Sequence, residues 1–106
     1  MMVCHVVMWD IKKDVTPPVS AHQIKANLES LKEKIGEIVS FEVGIKEREV
    51  AAGADIVLVS YFKTFEDLKS YQEHPAHLEV VAFLRGRTTK KGVVDFTIDK
   101  DSSLSS

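Results

Sequence analysis

The chain is 106 residues long, 44% hydrophobic and 28% charged, with a net charge of -2. This is the size and composition of a single soluble domain, which excludes a second domain and long disorder, and the acidic balance leaves no electrostatic footprint for nucleic acid. No run reaches the roughly 18 apolar residues of a membrane span, the N-terminus lacks a signal peptide's basic and apolar segments, and the single Cys4 has no disulfide partner, so a cytoplasmic location with a buried reduced thiol is expected.

Residues 2–11 alternate Val3, His5, Val7, Trp9 and Ile11 with Cys4, Val6, Met8 and Asp10, a strand that is largely apolar on both faces. Pro17 and Pro18 mark a break. Ser20 then serves as an N-cap for one helix with Ile24, Leu28, Leu31 and Ile35 inward, stopped at Gly36. Ile38 to about Glu47 alternates again, as a strand near an edge with Val39, Phe41, Val43 and Ile45 on one face. Residues 48–54 form a hairpin-like loop, and Asp55 to Phe62 gives a third strand. Thr64 with Asp67 resembles a capping box opening a helix with Phe65 and Leu68 inward. That helix ends at His74, because Pro75 disfavours helical geometry in the residue before it and suits the first turn of a new helix. Leu78, Val81, Ala82 and Leu84 mark this second segment. Arg85-Gly86-Arg87 with Lys90-Lys91 reads as a solvated loop, and Gly92 precedes a last strand from Val93 to Ile98. The domain is expected over 1–98, with 99–106 a polar, serine-rich tail that frays.

The order β-α-β-β-α-β predicts an α+β, ferredoxin-like subunit: a four-stranded antiparallel sheet with the helices on one face. Apolar residues on both faces of the strands leave the second sheet face needing a cover. A homodimer that pairs two sheets into a dimeric α/β barrel supplies it.

Chemistry concentrates in Tyr71-Gln72-Glu73-His74-Pro75-Ala76-His77. A neutral His77 could take an acidic proton next to a carbonyl while the Tyr71 hydroxyl bonds the oxygen that gains charge; the competing reading is a helix junction whose polar groups serve the backbone. His5 shares a strand face with Trp9, where it is either a satisfied core residue or part of the same site. Trp9 could stack on an aromatic ligand, or simply pack. His74 could contact a ligand, or cap the helix end. His22 is expected to be exposed. His74 and His77 with Glu73 and Glu79 lack the converging ligand set that zinc wants, no glycine-rich run precedes a helix, and Cys4 has no activating context, so no metal, nucleotide or thiol chemistry is expected.

The first strand Val3–Trp9, the strand Asp55–Val59, the helix Phe65–Tyr71, the His74-Pro75-Ala76-His77 junction and Val94-Asp95-Phe96 together resemble the stress-responsive dimeric α/β-barrel (Dabb) domain, over about residues 1–98. The resemblance implies a ferredoxin-like subunit, a homodimer made through the sheets, and a pocket between sheet and helices, with no cofactor. The family includes plant stress proteins and a plant polyketide cyclase whose tyrosine and histidine in this junction, with a first-strand histidine, serve an aldol-type ring closure. Those roles fall on Tyr71, His77 and His5 as catalytic residues. The cyclase's further histidine at the start of the third strand is replaced here by Asp55. The implied function is binding of a small carbonyl-bearing or aromatic molecule with cofactor-independent cyclase or lyase chemistry. A non-catalytic, stress-associated ligand-binding or structural homodimer is the alternative, and a cofactor-free monooxygenase a third reading.

Overall fold

In the computed structural model, which describes residues 1–99, the chain forms β1 (Met2–Ile11), α1 (Ala21–Glu29), α2 (Leu31–Lys34), β2 (Ser40–Ile45), β3 (Ile56–Phe62), α3 (Phe65–Glu73), α4 (Pro75–Leu84) and β4 (Thr88–Ile98). The four strands make one antiparallel sheet in the order β2-β3-β1-β4. The expected ferredoxin-like β-α-β-β-α-β order holds, with each helical region divided in two. The fraying expected of the tail falls on residues 100–106, outside the described residues.

Register follows from the period of two. In β1 the odd residues Val3, His5, Val7 and Trp9 face the helices, opposite Phe62, Ser60, Leu58 and Ile56 of β3, and all eight are buried. Phe41 and Val43 of β2 continue this face, and Ile24, Leu28, Leu31, Ile35, Leu68, Tyr71, Val80 and Leu84 of the helices close over it into one core. The opposite sheet face carries Val6, Met8, Val57, Val59 and Tyr61, none fully buried, and on β4 Val94 and Phe96 at 53% and 42% exposure. No described helix covers these residues. Cys4, also on that face, is buried among the strands, and burial raises its thiol pKa.

Four expectations need correction. The single helix to Gly36 is interrupted at Ser30, whose hydroxyl donates to the Asn27 carbonyl at 2.6 Å, a local bond that competes with the helix ladder. The last strand begins at Thr88, so Lys90 and Lys91 belong to β4. Its first residues have polar side chains, exposed from Thr89 on, and are held by backbone pairing to Trp9, Asp10 and Ile11, which hydropathy cannot register. Phe65 is 54% exposed because it is the first residue of α3 and lies outside the stripe made by Leu68 and Tyr71; Leu78, at 55%, lies off the Val80/Leu84 stripe of α4. Val39 precedes β2 and is exposed.

The caps carry the helix starts. Ser20 Oγ accepts from Gln23 N at 3.1 Å and Gln23 Oε1 accepts from Ser20 N at 2.7 Å, a complete capping box, whereas Thr64 Oγ1 accepts from Asp67 N at 3.0 Å as the forward half of one. Ser20→Ala removes the cap oxygen and is expected to cost about 1 kcal/mol of stability, read as a lower urea midpoint with an unchanged slope. An unchanged midpoint would show that α1 does not depend on its cap.

Candidate active site

The break between α3 and α4 builds the site. Had the helix run through, Ala76 N–H would donate to the Gln72 carbonyl four residues back. Pro75 has no N–H, and the Ala76 N–H instead donates to His74 Nδ1 at 3.0 Å, so His74 caps α4 with its side chain. The Gln72 carbonyl, left without that donor, takes a hydrogen bond from His77 Nδ1 at 3.0 Å. Because a carbonyl only accepts, His77 carries its proton on Nδ1, and Nε2 keeps its lone pair. The ring is then fixed against Tyr71, with centroids 4.5 Å apart.

Tyr71 sits on the buried stripe of α3, one turn after Leu68, and only 1% of it is exposed. Its ring lies 5.0 Å from Phe62 and 6.1 Å from Phe41 between centroids, and 6.3 Å from His5. The hydroxyl has no hydrogen-bond partner among the described residues, yet it is not an enclosed orphan; Tyr71 lines the cavity described below. Burial pushes its pKa well above the usual phenol range, so it remains a donor at any physiological pH.

His5 enters from the sheet. β1 pairs it with Asp95 of β4, and its Nδ1 lies 2.5 Å from Asp95 Oδ1. On the other side Ser60 Oγ donates to the His5 carbonyl at 3.1 Å. A carboxylate accepts, so Nδ1 donates, and Nε2 is the ring nitrogen without a partner among the described residues.

These three side chains line a cavity of about 410 Å3 between the sheet and α3/α4, with Val7, Trp9, Leu58, Val80 and Leu84 supplying apolar wall. That volume suits a small ligand. Tyr71, His77, His5 and Trp9, all singled out in the sequence, thus meet around one space. His74 does not line it: its imidazole caps α4, and the ligand contact expected of it finds no support in the geometry. His22 is exposed on α1.

Sequence reasoning missed Asp95. It lies 90 positions from His5, and the only signal that could have found it is the register of two strands paired across the length of the chain. Asp55, which stands where the resembling cyclase has a histidine, does not line the cavity. Its Oδ2 accepts from Ile11 N at 2.8 Å and its Oδ1 pairs with Lys46 Nζ at 2.8 Å, tying the end of β1 to the β2–β3 hairpin; the Lys46 ammonium and then the Ile11 N–H lower its pKa. Among the described residues no three His, Cys, Asp or Glu side chains stand close enough to hold a metal ion, and no helix is long and apolar enough to cross a membrane.

The sequence matches the family described as the stress responsive A/B barrel domain (Dabb) over residues 3–98, and the chain belongs to that family. It matches no curated protein. Among solved structures it resembles a dimeric protein of unknown function with a ferredoxin-like fold from Bacteroides fragilis, at 27% identity and a TM-score of 0.74, covering 92% of this chain and 96% of that one. A dimeric ferredoxin-like protein of unknown function from Thermobifida fusca is 22% identical with a TM-score of 0.79, covering 92% of each chain. The hydroxynitrile lyase of Passiflora edulis shares the fold at 20% identity and a TM-score of 0.76, covering 93% of this chain and 94% of the lyase.

Burial lowers the His77 pKa, opposed by the Gln72 carbonyl and aided by the charges of His5, Lys90 and His74. The folded state therefore binds fewer protons than the unfolded one as pH falls, so the contribution of His77 to stability is full above the ordinary histidine value and declines below it until the folded pKa is passed. Its ring protons should titrate with a midpoint below about 6.5, the ordinary imidazole value. A midpoint at or above that value would contradict the neutral, half-buried ring. Asp95→Asn replaces a pure acceptor with a group that can also donate, and is expected to move the proton of His5 from Nδ1 to Nε2; unchanged 15N ring shifts would show that Asp95 does not set the tautomer.

Proposed function

We propose that this Dabb protein binds a small carbonyl-bearing or aromatic molecule in the sheet–helix cavity and catalyses cofactor-independent proton transfer beside a carbonyl, leading to C–C bond formation or cleavage of the aldol, cyclase or lyase type. The observation that carries the reading is the pairing, in one largely apolar cavity, of a neutral His77 with a free Nε2 and the Tyr71 hydroxyl, which has no hydrogen-bond partner among the described residues.

In the forward direction His77 Nε2 takes a proton from the carbon next to the carbonyl. The C–H electron pair passes to the carbonyl oxygen as an enolate, which accepts the Tyr71 hydrogen bond. The enolate carbon then forms a C–C bond to a second carbonyl, and the proton on the imidazolium returns to the new alkoxide. Cleavage is the reverse. His5, held by Asp95, presents the opposite wall and a second lone pair for a substrate hydroxyl. The low polarity of the cavity strengthens each of these interactions. The hydroxynitrile lyase of Passiflora edulis, which shares the fold, is consistent with such chemistry.

The working assembly is proposed to be a homodimer through the open sheet face, where Val94 and Phe96 are exposed beside Val6, Val59 and Tyr61. Two solved structures of this fold are described as dimeric. Light scattering at micromolar concentration should give the dimer mass, and a monomer mass would contradict it.

The chemistry is tested by deuterium incorporation from D2O into the position next to the carbonyl of small aryl ketones and β-dicarbonyls. Wild type is expected to accelerate exchange, His77→Ala to fall to the uncatalysed rate, and Tyr71→Phe to lose on the order of a hundredfold, the usual loss on removing a donor to a developing oxyanion. Ligand-induced shifts of the His77 and His5 rings with no exchange would instead favour the non-catalytic binding protein. Oxygen consumption would favour the monooxygenase.

A further inference from the structure

The mouth of the cavity has a charge that the catalytic reading does not use. Lys90 and Arg85 both line it, and no Asp or Glu does, in a chain whose net charge is -2. Neither side chain has an ion pair or hydrogen bond among the described residues, while the cations next to them are committed elsewhere. Arg87 donates to the Phe83 carbonyl at 2.8 Å and lies 4.6 Å over the Phe83 ring. Lys91 Nζ lies 3.0 Å from the Gly53 carbonyl oxygen and 3.5 Å from Asp10 Oδ2.

Backbone geometry holds the two free cations at one rim. Lys90 stands opposite Trp9 in the β1–β4 register, on the face that bears His5 and Val7, and its charge is among those felt by His77. Arg85 is the C-cap residue of α4, anchored by its N–H to the Val81 carbonyl at 2.9 Å and bridged to Thr88. A helix C-terminus ordinarily repels anions. Here that end is blunted: the Leu84 carbonyl accepts from Arg87 N at 3.0 Å and from Thr88 Oγ1 at 3.1 Å, and the Phe83 carbonyl is taken by Arg87.

We propose that Lys90 and Arg85 form an anion subsite at the cavity mouth, and that the molecule bound there is a carboxylate-bearing carbonyl compound, with its carbonyl toward Tyr71 and His77 and its carboxylate at the rim. The substrate class rests on the catalytic reading above. A carboxylate suits the planar fork of a guanidinium backed by one ammonium, and the apolar wall formed by Val7, Leu58 and Val80 accepts the body between the two polar ends.

The test uses the isosteric pair 4-acetylbenzoate and methyl 4-acetylbenzoate at low ionic strength, followed by the NMR signals of the Trp9 indole, the single tryptophan of the chain, and of the His77 ring. Wild type is expected to bind the acid about tenfold or more tightly than the ester, as charge-assisted bonds at the rim require. In Lys90→Gln/Arg85→Gln the preference should fall to about twofold or less, and Lys90→Glu should reverse it by adding a like charge. Equal binding of acid and ester by wild type would overturn the anion subsite while leaving the carbonyl-binding cavity standing. A preference that survives the double substitution would overturn the assignment to Lys90 and Arg85. If neither compound moves Trp9 or His77, both this inference and the reading it rests on fail.

Discussion

The site depends on one missing hydrogen bond. Because Pro75 carries no N–H and the Ala76 N–H turns to His74, the Gln72 carbonyl is free to hold His77. A continuous helix would have consumed that carbonyl and carried residue 77 around the cylinder by its regular pitch. The junction instead sets the ring against Tyr71, fixes its tautomer, and leaves a lone pair for chemistry. His74 caps α4 through its side chain, and by taking the Ala76 N–H it leaves the Gln72 carbonyl to orient His77.

The sheet contributes the other half. Strand pleat puts His5, Val7 and Trp9 on the helix side, and antiparallel pairing with β4 brings Asp95 and Lys90 to the same face from the far end of the chain. A shallow helix-over-sheet packing thereby becomes a cavity with an apolar body, a polar end at Tyr71, His77 and His5, and a basic rim at Lys90 and Arg85. Among the described residues the opposite face has no such cover, and Val94 and Phe96 of the edge strand β4 stand exposed on it.

Much of this was legible in the sequence because it is written in local patterns. Alternation in residues 2–11, the spacing of Ile24, Leu28, Leu31 and Ile35, and the His-Pro step each report a nearby physical constraint, and the structure buries Val3, Val7, Trp9 and the four helix residues and breaks the helix at that proline. What was not legible depends on distant partners. Thr88 to Lys91 are polar, with Thr88 half-buried and the next three exposed, and become strand only through the pairing of β4 with β1, so they look like a loop. Asp95 is one acidic residue in an apolar strand until register sets it beside His5. The break at Ser30 goes with a side-chain bond to the Asn27 carbonyl that no hydropathy pattern encodes. The family resemblance carried Tyr71, His77 and His5 as residue types; that they line one cavity follows from the packing of β1 under α3 and α4.

The central claim is that Tyr71, His77 and His5 face one bound carbonyl compound. The most direct test is intermolecular NOE measurement with an aryl ketone such as acetophenone on the protein labelled at its aromatic and histidine rings. The account predicts contacts from the ligand to all three rings and to Trp9, with none to Val94 or Phe96. A ligand that binds but shows its contacts on the outer sheet face, or on only one of the three rings, would contradict it.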